Sequence, residues 1–255
     1  MTTLENKTAL VTGASRGIGR ATATALAEAG AHVLVHYGRS KQEAESLVAE
    51  IESKGGHADA ISADLGSREG AGLLAKHVRS IVGARLDVLV LNAGISKSAR
   101  IADHTVEDFD SLFATNVRSP FFLVQQLLPV LGEGSSIVAI SSVGARAVVG
   151  KSGLENPSIL AYASTKGALE TLVKNWAAIL GPNGIRVNAV APGVIDTDMS
   201  NFTKTEAGRE VVLRMQALKR IGKPDDVADV VVFMASDAAR WITGASIPVD
   251  GGSKL

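Results

Sequence analysis

Ala9-Leu10-Val11-Thr12-Gly13-Ala14-Ser15-Arg16-Gly17-Ile18-Gly19-Arg20 is the stretch whose reading decides the fold. A short apolar run ends in a threonine and three spaced glycines, and a helix-forming stretch, residues 20–29, follows at once. A strand that feeds a helix through glycines brings backbone close to a phosphate. Glycine has no Cβ to collide, and the first helical N–H groups are unpaired donors at the positive end of the helix dipole. The bland alternative is a glycine turn at a strand end. The strand before the turn and the helix after it favour phosphate binding. Gly13, Ser15, Arg16, Gly17, Ile18 and Gly19 are thus the first candidate cofactor contacts.

Outward from this turn, β-branched or apolar runs recur at residues 8–11, 32–37, 58–62, 86–91, 136–140, 186–190 and 246–249, with helix-length segments between them. Most are apolar throughout, as expected of strands covered on both faces. The expectation is an α/β chain with a doubly wound, seven-stranded parallel sheet in one domain spanning residues 1–255. Residues 41–54 place Ala44, Leu47, Val48 and Ile51 on one stripe, and Gly55-Gly56 ends them, which predicts a surface helix on the sheet. The loosely patterned region 194–219 is expected to form a mobile lid over the substrate.

A chain of 255 residues that is 46% hydrophobic can bury a full core as one domain. Its 26 basic and 26 acidic residues cancel, so no global field favours nucleic acid or an anionic membrane. The absence of cysteine excludes disulfide frameworks and thiol catalysis. No apolar run of spanning length and no signal-like N-terminus is visible, so a cytoplasmic protein is the expectation.

Dinucleotide folds usually carry an acidic residue about 20 positions beyond the glycine turn, where it accepts hydrogen bonds from the adenosine ribose. Tyr37 stands there instead, followed by Gly38, Arg39, Ser40 and Lys41. Arg16 and Arg39 would pair with a 2′-phosphate that a carboxylate would repel. NADP(H) is therefore favoured over NAD(H), against the alternative that both arginines are merely solvated loop residues.

Of the two tyrosines, Tyr162 has Lys166 four residues later, on one face of a helix. A phenol is a poor acid–base at neutral pH. A nearby ammonium lowers its pKa by favouring the phenolate, and reaching about 7 takes about 4 kcal/mol. With no Gly-x-Ser-x-Gly elbow and no cysteine, nucleophilic catalysis is disfavoured.

These motifs together resemble the short-chain dehydrogenase/reductase family over essentially the whole chain. In order they are Thr12-Gly13-x-x-x-Gly17-x-Gly19, Asp64-Leu65, Asn92-Ala93-Gly94-Ile95, Asn116, Ser141-Ser142, Tyr162-x-x-x-Lys166, Pro192-Gly193 with Thr197, and Asp250-Gly251-Gly252. The resemblance implies that Tyr162 is the general acid in reduction and the base in oxidation, and that Ser142 polarises the carbonyl. It implies that Lys166 binds the nicotinamide ribose and depresses the tyrosine pKa, while Asn116 positions a water in a proton relay. Asp64 and Leu65 would border adenine. Asn92, Ala93 and Gly94 would line the cleft, and Pro192, Gly193, Ile195 and Thr197 would meet the nicotinamide amide and the phosphates. Arg16, Arg39 and Ser40 match the 2′-phosphate end.

The interval from Ser142 to Tyr162 exceeds the family's usual one, with the extra material in residues 146–157. There Val148, Val149 and Leu154 either roof the substrate pocket or form an inert surface loop. The nearest generic label is 3-oxoacyl-[acyl-carrier-protein] reductase. Residues 120–142 hold no lysine or arginine to dock an acidic carrier, however, and Ala178 stands where such reductases tend to carry arginine. A small free ketone is the favoured substrate. Arg118, Lys174 and Arg214 leave the carrier reading open. His32 and His36 share a strand face, but no cysteine or carboxylate cluster accompanies them, so no metal is expected. Trp176 and Phe121-Phe122 are read as core or subunit packing. The family's assembly implies a homo-oligomer through residues 120–131, 161–180 and 241–249, a tetramer ahead of a dimer. The rival from another class is a nucleotide-sensing scaffold; a nucleotide-sugar epimerase is opposed by the glycine spacing and the short C-terminal part.

Overall fold

The computed structural model describes residues 3–148 and 153–253. Seven parallel strands form one sheet in the order β3-β2-β1-β4-β5-β6-β7. They are β1 (Thr8–Val11), β2 (His32–Tyr37), β3 (His57–Ser62), β4 (Val88–Leu91), β5 (Ser136–Ile140), β6 (Arg186–Pro192) and β7 (Ser246–Val249). The seven expected strands are all present. The fourth begins at Val88 rather than residue 86, the third gains His57, and the sixth runs on to Pro192.

The connections are helical: α1 (Gly17–Glu28), α2 (Lys41–Ser53), α3 (Gly70–Val82), α4 (Val106–Phe113), α5 (Ser119–Leu127), α6 (Leu160–Leu180), α7 (Glu206–Met215) and α8 (Pro224–Ala235). Strand alternation sorts the core into two layers. Leu10, Leu34, Leu89, Ile137 and Val187 face α3, α5 and α6, where Leu74, Leu127, Leu169 and Trp176 meet them. Their neighbours Val11, Val33, Val88, Val138 and Val190 face α1, α2 and α8, against Leu26, Leu47 and Met234. Each fully buried leucine or valine contributes about 1.5–3 kcal/mol, and the polar residues buried in these strands, His36, Ser136 and Asn188, are all hydrogen-bonded. The edge strand β3 is different: only Ala58 and Ile61 are buried and the other four residues are exposed, as a half-covered edge allows.

The strand order reverses between β1 and β4, which opens a crevice at their carboxyl ends. Thr12 and Asn92 bridge it. The Thr12 hydroxyl donates to the Val90 carbonyl at 3.1 Å and accepts from the backbone N–H groups of Asn92 and Ala93 at 2.9 and 3.0 Å. In return the Asn92 amide donates to the carbonyls of Thr12 and Gly13 at 2.8 and 3.0 Å.

Region 194–219, expected to form a lid, contains regular structure. A 3₁₀ stretch, Asp198–Lys204, leads into α7, and Val212, Thr203 and Gln216 are buried against the body of the fold. Of the aromatic residues expected in packing, Trp176 is buried, whereas Phe121 and Phe122 remain about half exposed. No helix among the described residues is long and apolar enough to cross a membrane.

Candidate active site

The glycine turn closes as its spacing demands. Gly13 adopts φ +64°, and a Cβ on it would lie 2.9 Å from the Ala93 Cα. At Gly19 a Cβ would fall 2.3 Å from the Gly13 carbonyl oxygen, so the first turn of α1 can press onto the strand end only without a side chain. Ser15 is buried, Arg16 is the extended residue ahead of α1, and Gly17 and Ile18 open the helix with no acidic residue in its first turn. That N-terminus presents free N–H donors at the switch point of the sheet, a geometry suited to an anion.

Every expected cofactor residue sits at the carboxyl edge of the sheet. Arg39 and Ser40 lie between β2 and α2, and Arg39 is exposed. Asp64 and buried Leu65 follow β3; the Asp64 carboxylate accepts the Gly66 N–H at 2.9 Å. Asn92, Ala93 and Gly94 follow β4, and Gly193, Ile195 and Thr197 follow Pro192 at the end of β6. Gly193 has no room for a side chain because Asp250 is 2.8 Å from its Cβ position. Thr197 is brought across to the glycine turn, its methyl 3.3 Å from a Cβ built on Gly17. One residue further, the Asp198 carboxylate lies 3.7 Å from the Arg16 guanidinium, both largely exposed. That ion pair joins residues 182 positions apart and has no local signal in the sequence.

The other four candidates converge from three elements. Ser142 follows β5 and its hydroxyl accepts the Gly144 N–H at 3.1 Å. Tyr162 and Lys166 stand one turn apart on α6, with the ammonium 5.6 Å from the centre of the tyrosine ring. Asn116 lies within a π-helical turn, Ala114–Arg118, between α4 and α5. Such turns insert one residue per turn and re-aim side chains, which brings Asn116 inward and buries it. Its amide holds the Ile95 backbone on both sides at 2.9 Å and donates to the Thr165 hydroxyl at 3.0 Å. Thr165 in turn donates to the Tyr162 carbonyl at 2.6 Å, so Asn116 is tied to the helix that carries Tyr162. Gly94 marks where the groups meet: a Cβ there would be 3.3 Å from the Asn116 carbonyl oxygen and 3.6 Å from Lys166 Nζ.

The electrostatics differ from the simplest expectation. Burial pushes the Tyr162 phenol up to about 12, while its hydrogen bond with Ser142 acts in the opposite direction. Lys166 is itself pulled down to about 8 by burial, its ammonium donating to the Ile140 carbonyl at 2.7 Å. Desolvation thus outweighs the Ser142 hydrogen bond at the phenol. Thr165 and Ile140 are silent in the sequence, because a threonine inside a helix and a strand carbonyl carry no local signal. The same holds for Glu170, one further turn along α6. Its buried carboxylate accepts from Ser141 at 3.0 Å, Ser246 at 2.7 Å and Arg146 at 2.7 Å.

The longer interval before α6 borders this site. Ala99 and Ser158 exchange backbone hydrogen bonds at 3.1 and 2.9 Å, and Arg100 reaches Glu155 at 3.2 Å. Val148 and Leu154 are mostly exposed there, and Val149 lies outside the described residues. His32 pairs with Asp59 at 2.7 Å, and no cluster of three metal-ligating side chains occurs among the described residues.

A parallel doubly wound sheet with an anion cradle at its switch point and a phenol–ammonium pair beside it defines a dinucleotide-dependent oxidoreductase. Residues 13–254 match the family model described as enoyl-(acyl carrier protein) reductase. The chain is 41% identical over 263 residues to versicolorin reductase 1 of Aspergillus parasiticus, covering 98% of this chain and 97% of that protein. It is 40% identical over 250 residues to a 3-oxoacyl-[acyl-carrier-protein] reductase of Staphylococcus epidermidis, covering 97% and 98%. The crystal structure of the angucycline C-6 ketoreductase LanV with bound NADP superposes with a TM-score of 0.89 at 39% identity, covering 98% and 96%. The chain belongs to the short-chain dehydrogenase/reductase family. It is an oxidoreductase of that family.

Proposed function

We propose that the protein interconverts a ketone and a secondary alcohol with NADP(H), using Tyr162, Ser142, Lys166 and Asn116. The observation that carries this reading is the phenol–hydroxyl–ammonium cluster at the mouth of the β1/β4 crevice: Tyr162 hydrogen-bonded to Ser142, with Lys166 one turn away. When bound, the reduced nicotinamide supplies the hydride. Ser142 holds and polarises the carbonyl oxygen, and Tyr162 delivers the proton to it. Lys166 holds the ribose hydroxyls beside the tyrosine, and Asn116 keeps the Gly94–Ile95 backbone in place at the proton exit. Arg16 and Arg39 read the 2′-phosphate. The bound NADP of LanV supports that choice.

Residues 194–219 serve as the substrate cover, with half-exposed Met199 and Phe202 offering it apolar surface. Copies of the chain assemble as a homotetramer in the cytoplasm through residues 120–131, 161–180 and 241–249. Half-exposed Phe121 and Phe122 and almost fully exposed Trp241 support that assembly. A second reading, reduction of a 3-oxoacyl group on an acyl carrier protein, is favoured by the staphylococcal relative.

Titration with NADPH and NADH by cofactor fluorescence, followed by a panel of small ketones, quinones and a 3-oxoacyl thioester, tests the proposal. NADPH binding tighter than NADH and oxidation by a ketone are expected. Tight binding with no oxidation by any panel member would favour a cofactor sensor, and no binding of either would overturn the reading.

A further inference from the structure

His36 lies near the end of β2, almost fully buried, and belongs to none of the catalytic or cofactor contacts assigned above. Both of its ring nitrogens are engaged. The Gly13 N–H donates to Nδ1 at 3.0 Å, and Nε2 lies 3.0 Å from the Ala63 carbonyl oxygen. A backbone N–H can donate only to an unprotonated nitrogen, so the proton resides on Nε2, which donates to Ala63. Burial lowers the ring's pKa to about 4, and the neutral tautomer is kept throughout the neutral range.

The two partners are not arbitrary loop positions. Gly13 is the left-handed glycine at the start of the phosphate-binding turn, and Ala63 immediately precedes Asp64 and Leu65 at the adenine edge. Backbone bonds run alongside the ring: the Ala14 N–H donates to the His36 carbonyl at 2.8 Å and the Ala63 N–H to the Tyr37 carbonyl at 3.1 Å. The imidazole therefore joins the ends of β1, β2 and β3 at the level where a dinucleotide would cross them.

We propose that His36 is a positioning residue for the cofactor: its ring sets the distance between the pyrophosphate turn at Gly13 and the adenine-bordering segment at Asp64. The proposal rests on the NADP(H) reading above. Both cofactor forms share the pyrophosphate and adenine, so His36 acts on both alike, unlike the arginines that read the 2′-phosphate. Removing the ring leaves the Gly13 N–H and the Ala63 carbonyl buried without partners, and a buried unpaired group of this kind translates into roughly a tenfold loss of affinity.

The test uses three variants. His36→Leu removes both hydrogen bonds. His36→Asn restores an acceptor where Nδ1 stood but is too short to reach Ala63. His36→Gln restores a donor where Nε2 stood. Cofactor fluorescence should give His36→Leu a Kd about tenfold higher for NADPH and for NADH, with kcat at saturating cofactor within about twofold of wild type. His36→Asn should recover most of the affinity and His36→Gln less. A His36→Leu Kd within twofold of wild type, or equal losses in all three, would overturn the proposal. Should His36→Leu not fold, the unaltered protein still decides the matter. In ¹⁵N-labelled protein, a scalar coupling across the hydrogen bond from the Gly13 amide to His36 Nδ1, and a shift of both signals on adding NADPH, are expected. Absence of the coupling, or no shift at saturating NADPH, sinks the idea. If wild type binds neither cofactor, the NADP(H) reading fails, while the coupling reports separately on the clamp.

Discussion

The cofactor side and the substrate side of this cleft are built differently. On the cofactor side, Thr12, Gly13, Asn92 and His36 hold one another through short hydrogen bonds between strand ends, and glycines stand where any side chain would collide. On the side we assign to substrate, residues 153–158 meet the body through the Ala99–Ser158 bridge and an exposed ion pair, residues 198–218 are anchored by buried Thr203, Val212 and Gln216 and by backbone bonds to Gly251 and Gly252, and Leu154, Met199, Phe202 and Leu218 face solvent at half or more of their surface. The first region is over-determined and tolerates almost no change. Individual contacts in the second are worth less, since exposed ion pairs contribute only about 0–1 kcal/mol, and the surface can vary with the molecule it receives.

The sharpest test of this contrast lies where the two regions meet. Tyr162→Phe removes only the proton donor, so turnover should fall by about 10³-fold or more with NADPH binding nearly intact, measured by steady-state kinetics and fluorescence titration. A variant keeping a tenth of the rate would remove Tyr162 from its role. Gly19→Ala should come next. Its Cβ would overlap the Gly13 carbonyl oxygen at 2.3 Å, and binding of both cofactors and thermal stability should drop together.

Lys166→Met separates stability from function. The folded-state pKa of Lys166, about 8, lies below its usual 10.5. Burying the ammonium therefore destabilises the fold below pH 8, and that cost is relieved as pH rises from 8 toward 10.5. The variant should gain up to about 3 kcal/mol in urea unfolding at pH 7, with the gain shrinking through that window, and should lose activity. His36 follows the same sign in a lower window. Its pKa of about 4 against 6.5 means that stability is fully present above pH 6.5 and is lost as pH falls toward 4. An acid unfolding limb that His36→Asn leaves unchanged would contradict this.

Arg39→Ala should weaken NADPH by about tenfold while leaving NADH nearly unaltered, in keeping with the loss of one charged phosphate contact. The smallest effect is expected on the substrate side. Arg100→Ala, which frees Glu155, should change KM for ketones by about twofold or less and cofactor Kd not at all, by the same assays. A larger change in KM would mean that the segment before α6 shapes the pocket rather than merely bordering it.

The difference between the two regions also explains what was legible in the sequence. The glycine turn, the Tyr162–Lys166 spacing and the seven strand runs are local patterns, because a strand buried on both faces is apolar at most positions and a helix face repeats every three to four residues. The π-helical turn that turns Asn116 inward has no such pattern, nor does Thr165, whose hydroxyl ties Asn116 to α6. His32 and His36 look alike in the strand. Only the packing of Gly13 and Ala63 against one ring distinguishes a buried clamp from a surface pair with Asp59.

By itself, the sequence determined the parallel sheet, the position of the anion cradle and which phenol and ammonium share a helix face, since each follows from backbone geometry and spacing within a few residues. Tertiary structure alone decided that burial raises the Tyr162 phenol against its Ser142 hydrogen bond, that Arg16 faces Asp198, and that Glu170 collects Ser141, Arg146 and Ser246. Those outcomes depend on how much water remains around a group and on partners up to 182 positions apart, as between Arg16 and Asp198. Desolvation and long-range pairing are properties of the packed chain, and no window of residues encodes them.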